Sequence, residues 1–213
     1  MDRTPSRAGV RDTYDRIAPH FAGTRRSAWP EVETFLENRS GDRGLDIGCG
    51  NGRHLPILEA VTDEVIGLDL SKELLREVPA EQTHAVHLLL GDAAELPIAS
   101  NSIDVALYVA TLHHLPNRSL RIQSLDEVAR ILQPHGTCLV SVWSVTDDRF
   151  DFEVGRDETI SWTLPDGTTV ERFYHIFDRE SFAAELEDSA LGVESLRESS
   201  GNWYAVVRGE PVD

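Results

Sequence analysis

The chain has 213 residues, 40% of them hydrophobic and 27% charged, and a formal net charge of −17 at pH 7. That length suits one α/β core better than two, and an acidity scattered without long like-charge runs excludes indiscriminate nucleic-acid binding, whose affinity comes from neutralising phosphates. No run of about 18 uncharged apolar residues and no signal segment occurs, so a soluble cytoplasmic protein is expected, and dispersed carboxylates with Lys72 as the only lysine suit a high-salt, halophilic interior.

Residues 8 to 22 place Val10, Tyr14, Ile17, Ala18 and Phe21 at helical spacing on one face. Pro30 opens a second helix to about Asn38, with Gly41 ending it. GLDIG (44 to 48) reads as a buried strand, followed by a glycine loop and a helix from about Arg53 to Glu59. EVIGLDL (64 to 70) is a second strand, and Ser71 caps the helix SKELLREV. HAVHLLLGD (84 to 92) is a third strand, SIDVALYVA (102 to 110) a fourth, SLRIQSLDEVARIL (119 to 132) a helix and GTCLVSVWS (136 to 144) a fifth strand. Strands apolar along their length and alternating with helices predict a parallel sheet covered on both faces. ISWTLPDGTTVERFYHIF (160 to 177) alternates around Pro165-Asp166-Gly167 and predicts a hairpin. Asp178 or Ser181 starts a helix to about Ala190, and GVESLRESS and GNWYAVVRG predict an antiparallel pair closing the sheet at its far side. Cys49 and Cys138 sit in apolar strand contexts with no Cys or His at metal-ligand spacing, so core positions are expected, with neither disulfide nor metal.

The chemistry is concentrated in DIGCGNG, where Gly48, Gly50 and Gly52 let the chain turn sharply and a ligand approach the backbone. Dinucleotide enzymes use a similar loop, so alone it leaves nicotinamide chemistry open. Asp46 is placed to organise the loop and a ligand's charged amino-acid end. Asp69 ends the second strand, where a carboxylate accepts ribose hydroxyls. GDAAELP follows the third strand and puts Asp92 beside an adenine; either acid alone could equally be a helix cap. YVATLHHLPN brings Thr111, His113 and His114 to the carboxyl end of the sheet, where open α/β sheets bind ligands. Adjacent histidines point apart, which disfavours a shared metal, and one of them could instead cap the next helix.

DxGxGxG, an acid ending the second strand and GDAxxLP, in this order, resemble the class I methyltransferases. That resemblance implies a Rossmann-like α/β fold, a mostly parallel seven-stranded sheet with an antiparallel last strand and helices on both faces. It also implies S-adenosylmethionine (SAM) as cofactor, held by Asp46, Gly48, Cys49, Gly50, Asn51, Asp69, Leu70, Asp92, Ala93 and Ala110. YDRIAPHFAGTRRSAWP (14 to 30), LDIGCGNGRHL (45 to 55), ATLHHLPNRSLRIQSLDEVARILQPHG (110 to 136), RFYHIF (172 to 177) and GNWYAVV (201 to 207) resemble, more closely, the tRNA wobble-uridine methyltransferases, in a haloarchaeal version. These esterify 5-carboxymethyluridine to 5-methoxycarbonylmethyluridine. His135 departs from the glycine common there, and the acidic surface departs from what an RNA enzyme ordinarily shows.

The resemblance implies catalytic roles for Arg25, Arg26, His113 and His114, and substrate contacts for Arg172, Tyr174, His175 and Trp203; Trp203 and Tyr204, in a strand-like run, also read as core. It implies tRNA and a small zinc-binding activator protein as partners, the latter in a heterodimer; the apolar strand at 84 to 90 reads either as a sheet edge open to strand addition by that activator or as one covered by a helix of this chain. One methyltransferase domain is expected: a helical cap and substrate loop at 1 to 40, a cofactor core at 41 to 145, a hairpin insertion at 146 to 177 and closing elements at 178 to 213. The alternatives are a methyltransferase for a small carboxylate or hydroxyl, a nicotinamide oxidoreductase, and a non-catalytic scaffold.

Overall fold

The computed structural model describes residues 5–80 and 86–209. Its centre is a seven-stranded sheet in the order β3 (Val86–Leu90), β2 (Thr62–Asp69), β1 (Gly41–Ile47), β4 (Ile103–Val109), β5 (Leu132–Trp143), β9 (Asn202–Gly209) and β8 (Leu191–Ser199). The first five run parallel, and β9 is antiparallel to both of its neighbours. This is the expected class, a mostly parallel sheet whose last strand in the chain runs the other way.

Alternation along the strands sorts their side chains onto two faces, each covered, which is why the strands are apolar throughout. Tyr108, Cys138, Val140 and Val142 join one cluster with Leu125 and Val128 of α5 (Arg118–Ile131) and Phe182 of α6 (Arg179–Glu187). Val105, Leu107 and Leu139 join the other with Val32 of α2 (Pro30–Leu36) and Leu58 of α3 (Leu55–Glu59). Arg121 and Glu185 bridge α5 and α6 at 2.6 Å inside this packing, both buried. Such a pair is costly to break from one side, because the survivor is left charged and dry.

Several boundaries differ from the sequence reading. The second helix stops at Leu36, and Gly41 does not end it but begins β1, where a Cβ would overlap Asp104 of the neighbouring strand. The helix after the glycine loop starts at Leu55, because Gly52, at φ 79°, is still turning. Positions 84 and 85 of the third strand lie outside the described residues, and the strand ends at Leu90 before Asp92 makes its own turn. The fifth strand starts at Leu132, directly after α5. The hairpin is longer than expected, β6 (Arg156–Thr163) with β7 (Thr169–Ile176), and Gly167 at φ 83° makes its turn. Asp178 caps α6 by accepting from the Ser181 backbone N–H at 2.7 Å.

Two pieces stand outside the sheet layers and matter for the site, the β6–β7 hairpin and the N-terminal helix. The helix α1 (Arg7–Gly23) docks on α4 (Lys72–Arg76) and on β7. Its anchors are Asp15, which accepts from Ser71 Oγ at 2.6 Å and Glu73 N at 3.2 Å, and His20, whose Nδ1 accepts from the Trp162 indole at 3.1 Å. Among the described residues no helix is long and apolar enough to cross a membrane.

Candidate active site

β1 runs into the loop Gly48 to Gly52, where the three glycines have φ of 73°, 57° and 79°. At Gly48 the requirement is double: the left-handed backbone, and a Thr111 side chain that any Cβ would overlap. Asp69, at the end of β2, staples this loop. Its Oδ2 accepts from Gly50 N at 2.9 Å and its Oδ1 from Ser71 N at 2.8 Å. Burial nevertheless raises its carboxyl to about 6. Asp92 accepts from Ala94 N at 2.9 Å and pairs with Arg7 of α1 at 2.6 Å. Each acid therefore makes the local turn bonds that a structural role predicts and still faces the cavity above the strands.

That cavity has a volume of about 160 Å³ and opens to solvent. Of the sequence candidates, the structure brings Gly48, Cys49, Gly50, Asn51, Asp69, Leu70, Asp92, Ala93 and Ala110 to its wall from the ends of β1 to β4. Arg25, His113, His114, Arg172 and Tyr174 complete it from the loop after α1, from the turn after β4 and from β7. Four candidates are not on the wall. Asp46 lies beneath the loop, buried, its carboxyl raised to about 7 by desolvation and its Oδ2 without a hydrogen bond, 4.0 Å from His54 Nδ1. Arg26 is exposed and bonds back to Gly23 O at 3.2 Å. His175 turns away to Asp157 at 2.7 Å, because neighbouring residues of a strand face opposite ways and Tyr174 takes the cavity side. Trp203 packs against the core and donates its indole N–H to Phe177 O at 3.2 Å.

The hydrogen bonds fix the histidine tautomers. His114 donates from Nδ1 to Phe173 O at 2.9 Å, so its Nε2 accepts from Tyr14 Oη at 2.8 Å. His113 accepts at Nδ1 from Trp143 N at 3.1 Å, which leaves the proton on Nε2, an atom with no hydrogen bond of ordinary geometry. Burial lowers His114 to about 4 and holds His113 well below the usual imidazole range, with neighbouring charges adding to it. Both rings are neutral at pH 7. Among the described residues no three His, Cys, Asp or Glu are grouped to hold a metal ion.

Arg7 and Arg11 on the cavity wall pair with Asp92 and Asp12, whereas three other arginines there rest on aromatic rings. Arg25 lies 4.9 Å from the Phe21 ring and 5.7 Å from Trp162. Arg172, 5% exposed, lies 4.7 Å from Trp162 and 5.2 Å from Tyr174, and its Nε is unbonded. Arg53 sits 4.7 Å from Trp29; burial first, and Arg25 second, lower it to about 10, still protonated at neutral pH. Among the described residues none of these three guanidiniums is in a salt bridge.

Sequence reasoning missed Arg53, Tyr14 and Trp143 as wall residues. The position of Trp143 at the carboxyl end of β5 was the available signal for it. It also missed Ala110, not as a candidate but as a strained one: a non-glycine at φ 53°, pinned by Ser141 O and Oγ, each at 3.1 Å from its N–H.

Residues 45–140 match the Methyltransferase domain family. The tRNA (carboxymethyluridine(34)-5-O)-methyltransferase of Schizosaccharomyces pombe is 30% identical over 224 residues, covering 92% of this chain and 94% of that protein. The Mus musculus protein ALKBH8, of the same description, is 37% identical over 140 residues, 65% of this chain; the chain spans 20% of that longer relative. Among solved structures, a chain from the complex of the Haloferax volcanii Trm112 methyltransferase activator with a methyltransferase superposes at a TM-score of 0.72, covering 96% of this chain and 99% of that one. At 18% identity that likeness speaks for the fold alone. The 30% identity spans nearly the whole of both proteins, and on it the chain belongs to the tRNA (carboxymethyluridine(34)-5-O)-methyltransferase family, within the class I SAM-dependent methyltransferases.

Proposed function

We propose that the chain esterifies the carboxylate of 5-carboxymethyluridine at the tRNA wobble position with the methyl group of SAM. The observation that carries this reading is the set of three guanidiniums without carboxylate partners, Arg25, Arg53 and Arg172, facing a cavity whose histidines are neutral. A carboxylate acceptor needs such a site. With an ordinary pKa near 4 it is already ionised at neutral pH, so no general base is required, only capture and aim.

The cofactor end fits SAM on its own terms. Gly50 borders open space that a side chain would enter, and Asp46 Oδ2 is a buried acceptor without a donor. Asp46 and Asp69 supply negative charge to a ligand that is cationic at sulfur and nitrogen. Bound there, SAM supplies an electrophilic methyl group on a sulfonium. Asp69 takes the ribose hydroxyls, Asp92 the adenine end, and the loop from Gly48 to Asn51, with Leu70, Ala93 and Ala110, shapes the slot. Arg25 and Arg172 hold the acceptor carboxylate through planar forks. His113 lines the cavity as a neutral ring, His114 and Tyr14 brace Tyr174, and Tyr174 flanks the base. With SAM held there, methyl transfer to a carboxylate oxygen would ask no residue of this chain to take or give a proton. Arg26, exposed beside the cavity mouth, serves the RNA rather than the reaction, and neither His175 nor Trp203 is assigned a substrate contact.

The proposed zinc-binding activator docks by strand addition on β3. That strand is an edge of the sheet, and Leu88 and Leu90 on it are 37% and 55% exposed. The test follows labelled methyl from SAM into carboxymethyluridine-containing tRNA, with and without the activator. Transfer is expected at least with the activator. Transfer to a small organic acid but never to the tRNA would overturn the reading.

A further inference from the structure

At the end of β5 the chain leaves the sheet through a segment with unusual surface chemistry. Trp143 lies on the cavity wall and stacks flat on Tyr174, centroids 4.4 Å apart and planes 4° apart. Phe150 comes 6.2 Å from Trp143, and Phe152 comes 5.2 Å from Phe150. The rings thus form a continuous series from the cavity to the outer surface. Phe150 and Phe152 are half-exposed and belong to neither buried cluster, and the adjoining Val154 is 72% exposed.

Two arginines cover this series. Arg149 lies 4.0 Å over Trp143 and Arg156 lies 3.7 Å over Phe152. Each is tied to a carboxylate at its edge: Arg149 binds both oxygens of Asp147 at 2.6 Å, and Arg156 donates its Nε–H to Glu158 at 2.6 Å. A guanidinium fixed at its edge is a poor phosphate clamp but keeps its flat face, which stacks on bases.

We propose that Phe150 and Phe152, with Arg149 and Arg156, form a stacking platform for the single-stranded RNA nucleotides that flank the target base. This rests on the RNA reading above and deepens it. The platform also accounts for how a chain of net charge −17 holds RNA. Base stacking needs no surplus positive charge, and with both arginines neutralised few counterions are released on binding.

The test uses an anticodon stem-loop RNA carrying carboxymethyluridine, the full chain with and without its activator, and the double variant Phe150→Ser/Phe152→Ser. RNA affinity is expected to fall about 10- to 100-fold and the RNA KM to rise with it. SAM affinity is expected to hold, the salt dependence of RNA binding to be shallow in both proteins, and Phe150→Trp to retain affinity. Unchanged RNA affinity in the double variant, an equal loss of SAM affinity, or loss in Phe150→Trp as well would overturn the platform. Wild-type protein that binds the RNA but transfers no methyl sinks the esterification reading while the binding comparison still decides the platform. Wild-type protein that does not bind the RNA sinks the platform.

Discussion

The two halves of the cavity are built on opposite principles. Its floor, from the ends of β1 to β3, is backbone and buried carboxylate: left-handed glycines, Asp69 bonded to Gly50, and Asp46 beneath the loop. Its roof, from α1 and the β6–β7 hairpin, is arginine on aromatic rings. On the proposed reading a cationic donor would meet acids below and an anionic acceptor guanidiniums above, and each half would disfavour the other's ligand by charge. The difference also separates two kinds of precision. The floor is set by hydrogen bonds at the ends of strands consecutive in the chain, whereas the roof exists only where distant segments meet.

The most damaging way to break the floor is Gly48→Ala. A left-handed alanine with its Cβ driven into Thr111 is expected to cost about 3 kcal/mol or more, lowering Tm and removing SAM binding by calorimetry. Arg172→Ala breaks the roof instead. Methyl transfer should fall about 10²- to 10³-fold with SAM affinity nearly unchanged, and Arg172→Lys should restore only part of it, because an ammonium lacks the planar fork. Equal loss of transfer and SAM binding would show the halves are not separable. Asp69→Ala should weaken SAM by about 1 to 3 kcal/mol, read as a raised SAM Kd with RNA affinity intact.

The smallest effect is in pH. At saturating substrates the rate should stay flat from about pH 5.5 to 8, since His114 sits near 4, His113 is also depressed and the acceptor is ionised throughout. SAM affinity should behave differently. Asp46 near 7 and Asp69 near 6 are charged above those values and neutralise as pH falls through them, so the SAM Kd should rise across that window. A rate limb near 6.5 would instead reveal a histidine base.

This contrast also explains what could be read from the sequence. The floor was legible because its residues are neighbours in the chain, and the glycine loop, Asp69 and Asp92 follow consecutive strands. The roof was legible only in part. Arg25 and Arg172 are 147 positions apart and meet at Trp162, within 5.7 Å and 4.7 Å of its ring. Nothing local to Arg53 distinguishes a guanidinium lodged against Trp29 from a solvated one. His175 was misread for a similar reason: the RFYHIF run carries no sign of which strand face meets the cavity, and the alternation gave that side to Arg172 and Tyr174. Gly41 looked like a helix stop because small size at a strand crossing and freedom after a helix leave the same letter.

The placement of β9 between β5 and β8 has a consequence for synthesis on the ribosome. A nascent chain that has emerged only through Ser199 has β8 but no strand to seat it against, and the β5 edge stands open. That edge carries Leu139, Val140 and Val142, a ready template for pairing with another chain. The interval before residues 202–209 arrive is therefore when this protein is most exposed to misassembly, and when a chaperone holding the β5 edge would have its largest effect on yield.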